Sequence, residues 1–88
     1  MIIAFDIDGC LLNEKSKPRP EIIELLKALS KNNKIIVWGG GGIDYARRIV
    51  NVLGIGRWVN QTAIKTKGIV DIAFDDQEVS LGKYNIKV

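Results

Sequence analysis

Asp6 and Asp8 stand two residues apart directly behind the apolar run Ile2–Phe5, and Gly9 follows them. In extended geometry alternate side chains leave the same side of the chain, so the two carboxylates project together, with glycine allowing a turn behind them. Two carboxylates converging at the end of a buried strand repel each other and lose hydration unless a proton or a cation joins them. The arrangement asks for a metal. A turn with solvated acids is the plainer alternative, disfavoured because acids set behind a buried run are costly without a partner. A second acidic pair, Asp75 and Asp76, closes the apolar run that ends at Phe74.

The elements that must position these acids follow from periodicity. Ile2–Phe5 reads as a strand buried on both faces, and Asn13–Pro20, with two prolines, as a loop. Ile22, Leu25, Leu26 and Leu29 recur on one helical face, with Glu21 and Glu24 near the helix start and Lys31 near its end. Ile35–Trp38 repeats the buried-strand signature and runs into four glycines, Gly39 to Gly42. A second helix then buries Ile43, Ala46, Val50 and Leu53 and closes at Gly54. We expect a brief third strand over Arg57–Val59, a polar connection over Asn60–Gly68, a strand over Asp71–Phe74, and an edge strand in the terminal YNIKV. Alternating strands and helices imply a three-layer α/β/α, Rossmann-like parallel sheet in a single domain spanning residues 1–88. Ligands of such sheets collect at the carboxyl ends of the strands.

Composition sets the remaining bounds. With 47% apolar and 26% charged residues the chain has an ordinary globular balance, and no apolar run is long enough to span a bilayer. Met1 leads straight into the first strand and Cys10 is the one cysteine, so we expect a cytoplasmic protein without a disulfide framework. If Asp6, Asp8, Asp75 and Asp76 gather around a cation, six acids remain against 13 Lys and Arg, leaving about +7 on the rest of the surface. Such a surface favours an anionic partner, although most of these lysines need only be solvating.

In order along the chain stand D-x-D-G after the first strand, a small-residue turn after the second, a linker lysine, and a strand ending in D-D. This series resembles the haloacid dehalogenase (HAD) superfamily, most closely its small capless phosphatases, whose last strand ends like FDDQEV here. The resemblance spans nearly the whole chain. It implies a minimal HAD core in which Asp6 is the nucleophile and forms an aspartyl-phosphate, while Asp8 is the general acid and then the base. It implies Mg2+ as cofactor, held by Asp6, the main-chain oxygen of Asp8, and Asp75 with help from Asp76. The lysine that balances charge is Lys67 by the family spacing K-x-x-x-D into Asp71, with Lys65 as the runner-up.

The chain departs from the family pattern at the second strand. Where relatives carry Ser or Thr to bind phosphoryl oxygens, Trp38 is followed by Gly39, and the next hydroxyl is that of Tyr45. Backbone amides of Gly39 and Gly40 beside a helix N-terminus can still bind phosphate. Loss of one preorganised donor corresponds to about tenfold to a thousandfold in rate. The departure keeps a second reading open, a catalytically weakened HAD-fold binding or regulatory module. A phospho-acceptor receiver domain is weaker, because its nucleophile follows a later strand. Cys10, in the family's Thr position, reads as a packed residue, as no His exists to activate it. With loops where caps are usually inserted, the expected partner is a phosphorylated substrate large enough to use an open site, such as a nucleic-acid end or a phosphoprotein. A second subunit serving as a lid is the alternative cover, and no membrane is involved.

Overall fold

The computed structural model describes all 88 residues. Its first strand, β1 (Ile2–Asp6), takes the centre of the sheet because Ile3, Ala4 and Phe5 are fully buried and need cover on both faces. A loop leads to α1 (Pro20–Leu29), where proline occupies the first turn and Glu21 and Lys27 lie at the ends that the helix dipole favours. Next come β2 (Lys34–Gly39) and α2 (Gly42–Leu53), the latter stopped by Gly54 at φ +67, whose amide donates to the Val50 and Asn51 carbonyls. The chain finishes with β3 (Gln61–Ile64), β4 (Val70–Asp75) and β5 (Gly82–Lys87). All neighbouring strands pair in parallel, in the order β3-β2-β1-β4-β5.

Two expectations require correction. Arg57–Val59 is not a strand: Gly56–Trp58 is a single 3-10 turn, and the third strand is Gln61–Ile64, inside the segment expected to be a polar connection. The apolar residues Ile55, Trp58 and Val59 pack sideways onto the helical core instead of pairing in the sheet. Only Ala63 of β3 is buried, so this edge strand carries almost no apolar signal.

The layering also differs. Ile3, Phe5, Ile35 and Val37 share one core with Ile22 and Leu26 of α1 and with Ala46 and Val50 of α2, so both helices cover the same sheet face. The opposite face holds Ala4, Ile36, Trp38, Ala63, Val70 and Ala73, with Leu81 against it and no helical residue. Segments 65–69 and 76–81, which connect the last three strands, are too short for a covering helix; they are joined by a hydrogen bond from the Gly68 amide to the Leu81 carbonyl. The parallel α/β sheet is therefore built in two layers, not three. The alanines leave room for the Trp38 indole, which is fully buried with its Nε1 unpartnered.

Register brings the acids together. Phe5 pairs with Phe74, their rings stacked at 4.7 Å on the helical face, so the next residues, Asp6 and Asp75, end adjacent strands and point to the opposite face.

Candidate active site

At the carboxyl edge of the sheet Asp6 and Asp75 are almost completely buried, 4% and 1% exposed. Between them lies an ammonium. Lys65 Nζ is 2.9 Å from Asp6 Oδ1 and 2.8 Å from Asp75 Oδ2. Lys65 is the first residue after β3, which puts it at the same edge as the acids. Lys67, by contrast, is exposed in the following turn, and the ion pairs of the acidic group are made by Lys65 alone. The family spacing pointed to Lys67 because β3 was not legible; a strand ending at Ile64 makes Lys65 the residue at the strand end.

Asp76 completes the group. Its carboxylate lies against Gly9, where an added Cβ would overlap it, and Gly9 has φ +84, so both space and backbone require glycine there. Asp75 Oδ1 accepts a hydrogen bond from the Gln77 amide at 3.0 Å, and Asp76 Oδ2 one from the Gln77 side chain at 3.3 Å. Asp6, Asp75 and Asp76 each offer an oxygen within 4.8 Å of the others. Octahedral Mg2+ places its ligands at roughly 2.1 Å, hence at most about 4.2 Å apart, and prefers hard carboxylate oxygens, so the three acids fit this ion after a small contraction.

The electrostatics suit a cation. Burial pushes the Asp6 carboxyl up to about 6, against the hydrogen bond and charge of Lys65 that pull it down, while the Asp75 charge adds to the rise. For Lys65, burial disfavours the charge, but its bonds to Asp75 and Asp6 outweigh burial and hold its pKa above the ordinary value. Asp76 lies below its ordinary value: burial opposes ionisation and hydrogen bonds, led by the Gln77 side chain, overcome it.

Asp8 stands apart from the acidic group. It is exposed, and its Oδ1 accepts a hydrogen bond of 2.7 Å from the Tyr45 hydroxyl. That bond, followed by burial, raises the pKa of the phenol. Tyr45 was not singled out in the sequence. Its signal was a hydroxyl in the first turn of a helix that starts at the strand ends.

Gly39 ends β2, and Gly40 and Gly41 make the turn into α2. A Cβ at Gly40 would meet open space, and one at Gly39 would meet only Ile7 at ordinary contact distance, so sterics do not demand glycine at either position. Cys10 is fully buried, its Sγ 3.8 Å from the Phe74 carbonyl, and burial with the Asp6 charge pushes the thiol up to about 12. It is an inert packing residue. An open cleft of about 620 Å3 adjoins the site, with Gly9 and Asp76 at one side and Lys15 and Arg19 in its lining. Arg19 Nη1 donates to the Gly9 carbonyl at 2.8 Å, fastening the loop behind Asp8.

Parallel order, acids at two adjacent strand ends and a lysine between them make a charged site at the carboxyl edge of the sheet, in which Asp6, Asp75 and Asp76 could hold a divalent cation. The family model for haloacid dehalogenase-like hydrolases matches residues 3–75, and the chain belongs to that family. Comparison with curated proteins and with solved structures returned no match. No helix is long and apolar enough to cross a membrane.

Proposed function

We propose that this chain is a Mg2+-dependent phosphomonoesterase acting through an aspartyl-phosphate on Asp6. The observation that carries the reading is the buried Asp6–Lys65–Asp75 cluster with Asp76 beside it, at the carboxyl edge of a HAD-type sheet. Lys65 balances the charge on Asp6 and aligns its carboxylate, and its position supports it over Lys67 for this role. An Asp6 oxygen attacks phosphorus as the bond to the leaving oxygen breaks, and Asp8 gives that oxygen its proton. Water then attacks the phosphoryl group, Asp8 takes a proton from it, and phosphate leaves with Asp6 regenerated. Gly39 and Gly40 present backbone amides to the phosphoryl oxygens. Asp6, Asp75, Asp76 and the Asp8 main-chain oxygen would hold the ion, which would supply positive charge to the phosphoryl oxygens.

The open cleft beside Asp76 admits a phosphate carried on a large molecule; its lining is charge-balanced, Lys15 and Arg19 against Glu14 and Asp76, so it is the basic remainder of the surface that favours a phosphorylated nucleic-acid end. A chain with one, buried, cysteine suits the cytoplasm. Hydrolysis of an aryl phosphate that requires Mg2+ and disappears in Asp6→Asn is the expected result; equal activity in Asp6→Asn contradicts it. Screening sugar, nucleotide, oligonucleotide-end and phosphopeptide substrates then ranks the targets.

One observation favours a second reading, a binding module with weakened catalysis: position 39 carries no hydroxyl. A Cβ there has room, so Gly39→Ser separates the two readings. A gain of about tenfold or more in turnover marks a weakened enzyme, and none marks a binding module.

A further inference from the structure

Asp8 is exposed, and the Tyr45 hydroxyl, 2.7 Å from Oδ1, is the side-chain hydrogen-bond partner of its carboxylate. The fold holds the phenol in place. Tyr45 lies in the first turn of α2, which the chain enters through Gly42 at φ +89, a conformation reserved for glycine. Its ring covers Gly41 so closely that a Cβ there would stand 2.6 Å from the ring Cδ2. The Arg48 guanidinium lies over the ring, 5.4 Å from its centroid. Gly41 is thus glycine because an aromatic ring rests on it, a reason separate from binding phosphate.

We propose that Tyr45 is a positioning residue for Asp8: by donating to Oδ1 it fixes the carboxyl rotamer, so that Oδ2 addresses the leaving-group oxygen. The inference rests on the phosphatase reading above. An exposed aspartate otherwise samples several staggered wells, and a general acid acts only when within hydrogen-bond reach of the oxygen it protonates. The phenol donates its proton to Oδ1, a bond that raises its pKa above the ordinary value. It is tied to the sheet through a helix, which makes it a rigid support for a side chain that nothing else restrains.

The test compares two substrates in wild type, Tyr45→Phe and Gly41→Ala. An alkyl phosphate has a poor leaving group that needs the proton from Asp8, whereas 4-nitrophenyl phosphate leaves without it. Loss of positioning lowers kcat/KM for the alkyl phosphate by about tenfold or more and leaves that for the nitrophenyl ester within about twofold. Gly41→Ala, which pushes the ring off the turn, gives the same signature. Tyr45→Phe keeps the ring and is expected to fold normally. If the ratio of the two kcat/KM values stays within about twofold of wild type in Tyr45→Phe, the positioning role is overturned while the phosphatase reading stands. A wild type with no Asp6-dependent turnover of either ester overturns both.

Discussion

The two sides of β1 are built in opposite ways. On the β4 side, Asp6 and Asp75 are buried and joined at 2.9 and 2.8 Å through Lys65, which reaches across from the end of β3, and Asp75 is further held by a backbone amide. On the β2 side there are glycines and one phenol, with open space where a side chain at Gly40 would be. The difference teaches where stability and chemistry are coupled. Buried like charges impose a folding cost that Lys65 offsets, so changes to this cluster are expected to alter stability and activity together. On the β2 side the groups proposed to act are backbone amides and a surface hydroxyl, so changes there are expected to alter rates more than folding.

The largest expected effect is that of Lys65→Met, which leaves two buried carboxylates facing each other. Metal-free denaturant unfolding should show a loss of about 3 kcal/mol, part of it recovered on adding Mg2+, whereas Lys67→Met should stay within about 0.5 kcal/mol. Equal effects of the two variants would erase the contrast between a buried and a solvated lysine.

Asp6→Asn should move stability the other way. Folded Asp6 titrates near 6 instead of 3.8, so the folded state binds this proton more tightly than the unfolded chain. Its contribution is fully present below about pH 4 and is lost as pH rises through about 6. The metal-free variant, freed of that charge but also of one Lys65 contact, should be more stable than wild type by about 2 kcal/mol at pH 7.5. The advantage should vanish near pH 4. Thermal melts across that range read both the size and the sign.

The smallest effects belong to the β2 side and sharpen the comparison from within. Gly41→Ala should lose about 1 kcal/mol because the Tyr45 ring must move, while Gly40→Ala should be neutral within about 0.5 kcal/mol, as measured by urea unfolding.

What the sequence revealed divides along the same line. The acids of β1 and β4 were legible because each follows an apolar run, and the run fixes both the strand and the edge at which it ends. Helices α1 and α2 were legible from their periodicity and their proline and glycine boundaries. Strand β3 was not, since an edge strand with one buried residue carries no pattern, and with it went the choice between Lys65 and Lys67. The single helical layer was hidden too, because it depends on two connections too short to hold a helix. Tyr45 reaches Asp8 across 37 positions of sequence, a contact set by how α2 leans on the glycine turn, and local patterning does not record it.

The central claim is that Asp6, and no other residue, takes the phosphoryl group. Acid-quenching the protein during turnover of an aryl phosphate with Mg2+, reducing with borohydride and mapping peptides by mass spectrometry tests it most directly, since an acyl phosphate is reduced at the modified carboxyl. The account predicts conversion of Asp6 to homoserine, absent without substrate. Turnover with Asp6 unmodified, or modification at Asp8, Asp75 or Asp76 instead, would contradict it.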